Sequence, residues 1–213
     1  MNLRTVLEIS PLKTLCFNLH YFGFNGLRLP VLVSRGTKLH TLRGGVSLES
    51  FKTASVRFGF SGVGTCDMRC ERAMWQVSGR VRIGGNISLG QGTRISVGDS
   101  GELIIGDGFC VTARSSIICH EKIEIGKDVL FSWDSLVMDT DFHPINNSSV
   151  SDSIHIADHV WLGCRCLVLK GSSIPEGSVL AAGTTITKKL PEANAIYGGV
   201  NKKVRSDISW RKK

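Results

Sequence analysis

The run Ile156-Ala-Asp-His-Val-Trp-Leu162-Gly-Cys-Arg-Cys-Leu-Val168-Leu-Lys-Gly-Ser-Ser-Ile174-Pro-Glu-Gly-Ser-Val-Leu180-Ala-Ala-Gly-Thr-Thr-Ile186 places an aliphatic side chain at every sixth position. Two residues before each of the last five stands a small or short residue: Val160, Cys166, Ser172, Ser178 and Thr184. Upstream the same interval returns in shifted phase as Ile125, Phe131, Val137, then Ile105, Val111, Ile117, then Ile83, Leu89, Ile95. A strand repeats every 2 residues and a helix every 3.6, so neither produces a sustained six. Six is the period of a parallel β-helix, where each hexapeptide makes one short strand and one turn and three close a triangular coil. The periodic aliphatic points into the prism and stacks on its counterparts above and below. Gly84, Gly90, Gly106, Gly126 and Gly163 follow it directly, where the backbone is most crowded.

Composition agrees with this reading. The 213 residues suit one domain. Hydrophobic residues make up 42% but aromatics only 7%, and 24 residues are Gly, a balance for short turns around an aliphatic core. No long stretch carries both a helical apolar stripe and a proper cap, so an all-β fold is expected. Seven cysteines form no zinc-type pairs, which suggests reduced thiols in a cytoplasmic protein without a signal peptide. Glu8, Asn18 and Arg28 interrupt the N-terminal apolar run before it is long enough to span a bilayer. The net charge of +8 owes much to Lys188, Lys189, Lys202, Lys203, Arg205, Arg211, Lys212 and Lys213, a solvated tail or a phosphate site.

Phase shifts mark interruptions around Gly101, between Ile117 and Ile125, and above all between Val137 and Ile156. The last inserts Met138-Asp139-Thr140-Asp141-Phe142-His143-Pro144-Ile145 and a polar run containing Asn146, Asn147, Ser148 and Ser149. A loop thrown out of a regular solenoid is where function is commonly placed.

Over roughly residues 83–205 the chain resembles the hexapeptide-repeat acyltransferases, in the sugar O-acetyltransferase branch that includes galactoside and maltose acetyltransferases. The resemblance is densest in Met138-Asp-Thr-Asp-Phe-His-Pro, Ile156-Ala-Asp-His-Val-Trp-Leu-Gly-Cys and Val179-Leu-Ala-Ala-Gly-Thr-Thr-Ile-Thr-Lys-Lys-Leu-Pro. It implies a left-handed coil, against the usual right-handed crossover, and a homotrimer with acetyl-CoA as co-substrate in the groove between prisms. It implies that His143 is the general base; imidazole titrates in the range such a task needs. Asp139, Asp141 and Trp161 match acceptor-side positions. Trp161, Cys164, Ala182, Thr187 and Lys188 match positions along the coenzyme groove, with Lys203 or Arg205 for its 3′-phosphate. The Gly-x-Pro-Ala segment usual in relatives reads Gly199-Val200-Asn201-Lys202 here, without proline.

The expected layout is an N-terminal lead-in or cap over residues 1–45, a β-helix over 46–205 with its catalytic loop at 138–153, and a basic tail over 206–213. The expected partner is a sugar or glycan acceptor, with no nucleic acid, no metal, and weak membrane-surface contact through the aromatic, basic N-terminal segment. An N-acyltransferase of an amino sugar or small amine is the second reading. A non-catalytic or metal-binding trimer, with His120, His155 and His159 as its ligand candidates, is the third.

Overall fold

A computed structural model describes residues 3–67, 70–146 and 148–212, so Asn147 and Lys213 lie outside the described residues. The chain winds a three-sided, left-handed parallel β-helix. Among the described residues its faces hold nine, seven and six strands, which makes six complete coils. All fifteen periodic apolar residues are buried, none more than 4% exposed.

Register explains why the period is so regular. On the first face Leu89, Val111, Phe131, Leu162 and Leu180 stand over one another, continuing to Tyr197. On the second, Ile95, Ile117, Val137, Val168 and Ile186 do the same. On the third the column is Ile83, Ile105, Ile125, Ile156 and Ile174. Like residues therefore meet in continuous dry stacks, and no coil buries its own face alone. Gly106 shows why the corners tolerate so little: a Cβ there would lie 2.6 Å from the Gly126 carbonyl group of the next coil.

The stack starts earlier than position 46. Strands at Val31–Val33, Lys38–Leu42 and Gly45–Leu48 form the first coil, and they pair with the second coil in the same parallel sense. Their spacing is irregular, with a register shift between Leu39 and Thr41, so the period gives no sign of them.

Helices precede the stack. α1 spans Leu3–Glu8 and α2 spans Pro11–Phe22. α2 corrects the expectation of no capped helix. Ser10 is its N-cap and Pro11 opens it, a standard start, and Leu12, Leu15, Cys16 and Leu19 follow at helical spacing on its exposed side. Two polar side chains one turn apart close the open sheet edge. The Asn18 amide bonds both the N–H and the carbonyl of Val31, and Thr14 Oγ1 accepts from Val33 N–H. These replace a missing neighbouring strand, the usual remedy for an exposed edge. Phe17 then packs on Trp75, whose indole donates to Tyr21.

The C-terminus is not a free tail either. After an antiparallel pair formed by Ile196–Gly198 and Lys202–Arg205, the chain folds back along the first face. Trp210 stacks on His159 with ring centroids 4.2 Å apart. Lys212 reaches the Asp128 carboxylate at 3.1 Å.

Candidate active site

Between Ile83 and Ile186 every interruption of the period falls at one corner, where the second face turns into the third. Gly98–Gly101, Cys119–Glu121 and the segment after Met138 occupy it in successive coils. The insertion is thus an enlargement of a corner that is long throughout.

Its stem is held firmly. Asp139 is fully buried, and its two carboxylate oxygens accept the backbone N–H groups of His120 at 2.7 Å and Glu121 at 2.9 Å. Thr140 bridges Ser151, Asp141 N–H bonds Val150 O, and Asp152 N–H bonds Asp139 O. Lys170, from the following coil, clamps both sides of the stem. Its ammonium pairs with Asp141 at 2.7 Å and donates to Ser149 O at 2.5 Å. Phe142 takes a positive φ of 60°, with its N–H on Thr140 Oγ1 and its ring edge-on to His120.

This corrects the acceptor-side reading of Asp139, which is fully buried and caps the corner of the preceding coil. Asp141 pairs with Lys170 through Oδ2 and remains partly exposed. Lys170 itself was missed, because nothing in Leu-Lys-Gly-Ser distinguishes it from a solvated lysine.

The tip is different. His143, Pro144, Ile145 and Asn146 are exposed. Among the described residues His143 has no hydrogen-bond or ionic partner. Its neighbours Phe142 and Ile145 are 51% and 64% exposed, large apolar groups that their own chain covers only in part.

A second constellation lies one corner away, between the first and second faces. Leu162 is in register with Leu180, so Cys164 and Ala182 occupy equivalent places in successive coils. Gly183 N–H bonds Cys164 O across them. The backbone N–H groups of Cys164 and Ala182 have no acceptor among the described residues. The two buried thiols are poor nucleophiles: burial pushes Cys166 up to about 11 and raises Cys119 further. Trp161 stands on the outer side of the first face, partly exposed, its indole donating to Ser132 Oγ at 3.0 Å. Trp210 approaches it at 5.8 Å.

The remaining candidates separate. Thr187 is occupied: its N–H and hydroxyl are both taken by the Asn201 amide, at 2.9 and 2.8 Å. That pair docks the proline-less Gly199–Asn201 turn onto the last coil. Lys203 is paired with Glu192 at 2.5 Å; the carboxylate raises the Lys203 pKa and is itself lowered in return. Lys188 and Arg205 remain exposed and without an ionic partner among the described residues. His120, His155 and His159 lie apart, against Phe142, Glu124 and Asp128 respectively.

No family model matches the chain. Over 99 residues it is 27% identical to a galactoside O-acetyltransferase of Lactococcus lactis, an alignment covering 44% of this chain and 47% of the relative. Over 142 residues it is 28% identical to an Escherichia coli protein that is, by name only, an O-acetyl transferase of lipopolysaccharide biosynthesis, covering 59% and 71%. The solved structure of the polysialic acid-specific acetyltransferase NeuO superposes with a TM-score of 0.53 at 20% identity, covering 86% of this chain and 79% of that one. The match thus spans about half the length of the first relative, and the solved neighbour shows a shared fold. These relatives are hexapeptide-repeat acetyltransferases.

Proposed function

We propose that this chain, akin to the hexapeptide-repeat acetyltransferases, transfers the acetyl group of acetyl-CoA to a hydroxyl of a sugar or glycan, with His143 as general base. The observation that carries the reading is the corner opened after Met138: a stem fixed by Asp139 and Lys170 that offers, among the described residues, an unpartnered imidazole at its tip.

A hydroxyl is a weak nucleophile at neutral pH. His143 takes its proton as the oxygen attacks the thioester carbonyl carbon; the new C–O bond forms, the C–S bond breaks, and the CoA sulfur leaves as thiolate to receive that proton. The thioester is already activated, so no covalent enzyme intermediate is required. The N–H groups of Cys164 and Ala182, without an acceptor among the described residues, suit the pantetheine and thioester oxygens. One such donor in a dry cleft contributes about 3 kcal/mol to transition-state stabilisation. Lys188 and Arg205 are the cations left to meet the coenzyme phosphates.

The opened corner and the Cys164–Ala182 corner lie at opposite edges of the second face. A site combining them is completed most simply by two prisms side by side, which supports a homotrimer with shared sites and gives Phe142 and Ile145 a neighbour to cover them.

The test is release of CoA thiol from acetyl-CoA against a panel of sugars and sugar conjugates. The expected product is an ester that mild alkali removes. An alkali-stable amide transfers the assignment to amine acceptors, and no thiol release with any acceptor removes the enzymatic reading.

A further inference from the structure

We propose that the N-terminal cap docks the protein on an anionic lipid surface, an inference that does not depend on the acetyl-transfer reading. α2 turns Thr14, Phe17 and Asn18 inward. Its other side is apolar and uncovered: Leu12 is 72% exposed, and Leu15 and Leu19 on the same stripe 42% and 41%. The 3-10 turn after it adds Phe24 at 92% and Leu27 at 59%. Leaving so many large apolar groups at one end of a molecule is unfavourable unless something covers them.

Charge indicates what covers them. Residues 1–57 contain eight Lys and Arg against two Asp and Glu. Cations rim the apolar stripe. Lys38 follows Thr37, whose carbonyl Lys13 holds; Arg43 follows Leu42, whose carbonyl meets His20; Thr53, next to Lys52, bonds the carbonyl of Arg28. Arg28, Lys38, Arg43 and Lys52 are exposed, and none has a carboxylate partner among the described residues. Two such caps meeting head to head would bring like charges together, so a second copy is disfavoured. The apolar side chains project outward, and Leu12, Leu15, Leu19, Phe24 and Leu27 do not line the recesses beside α1 or along the third face. Projecting leucines and a phenylalanine ringed by basic groups suit the boundary between anionic headgroups and acyl chains. No helix among the described residues is long and apolar enough to cross a membrane, so the contact is interfacial.

The experiment is co-sedimentation of the full chain with vesicles of 70:30 phosphatidylcholine and phosphatidylglycerol, against pure phosphatidylcholine. Binding to the anionic vesicles alone, weakened by 0.5 M salt, is expected. Substituting Leu12→Gln, Leu15→Gln, Leu19→Gln and Phe24→Ser together should lower the partition coefficient by at least roughly tenfold. The pair Arg28→Gln and Lys52→Gln, which leaves the helix untouched, should lower it by about tenfold or more. Unchanged far-ultraviolet circular dichroism and light-scattering mass are expected of both variants. Absence of pelleting, or pelleting that both variants retain, overturns the proposal. So does a leucine variant with altered oligomer mass, which would make the face a contact between copies.

Discussion

Two of the segments that leave the coil stack, the 139–153 loop and the C-terminal segment, are held in opposite ways. The 139–153 loop is fixed at its stem and free at its tip, where His143 meets nothing in its own chain. The C-terminal segment is pinned along its length: Ile208 N–H on Asn194 O, Trp210 against His159 and Trp161, and Lys212 on Asp128. A segment bonded throughout closes a surface. One bonded only at its base is rigid where it must be, and leaves its end for another molecule. Each substitution below tests whether that division holds.

The largest effect is expected at the free tip. His143→Ala should reduce turnover by a factor on the order of 10² to 10⁴ while leaving coenzyme affinity and the thermal midpoint almost unchanged. Near-normal turnover in the folded variant would end its candidacy as base. The fixed stem should respond in the opposite currency. Asp139→Ala leaves two amides of the preceding corner without an acceptor, a loss of about 2–4 kcal/mol in denaturant unfolding. Asp139→Asn keeps one acceptor oxygen and should lose roughly half of that.

Lys170→Met tests the clamp. An ion pair this exposed contributes only about 0.2–1 kcal/mol to stability, so the melt should barely move. If the clamp orients the tip, kcat should fall by about tenfold with KM for acetyl-CoA unchanged. Equal kcat in the two proteins would show that Asp141 and Lys170 hold only the stem.

How much of this was legible beforehand follows from distance along the chain. Ile83, Ile105 and Ile125 announce themselves because like residues recur, and stacking like on like is what the coil requires. The long corner was legible as a phase shift, and the enlarged corner as a polar insertion. Asp139 was misread because its partners, the amides of His120 and Glu121, belong to the preceding coil. In Met-Asp-Thr-Asp-Phe-His both aspartates look equally available, and only burial separates a cap from an ion pair. Asn18 and Thr14 replace a strand, and Trp210 stacks 51 residues from His159 in sequence. Such pairings occur once, so no period reveals them.

The smallest predicted effect concerns the pinned segment and acid. Asp128 accepts from His159 Nδ1 at 2.7 Å and from Lys212 Nζ at 3.1 Å. Burial alone pushes its pKa upward, but these two bonds outweigh that and hold it below the usual carboxylate range. A carboxylate whose folded value lies below its unfolded one, about 3.9, contributes stability that is present above that pH. The contribution disappears as pH falls through the folded value, so the C-terminal segment should stay docked at neutral pH and loosen below about pH 4. Asp128 is half-exposed and salt screens it, so the step should be small and should shrink further in 0.5 M NaCl. Trp210 reports it: the fluorescence difference between the parent and Trp210→Phe should change on acidification while far-ultraviolet circular dichroism holds steady. Asp128→Asn, which removes the titrating group, should abolish the step. A transition of the same size in Asp128→Asn would mean that acid loosens the segment through some other group, and that its pinning does not rest on this carboxylate.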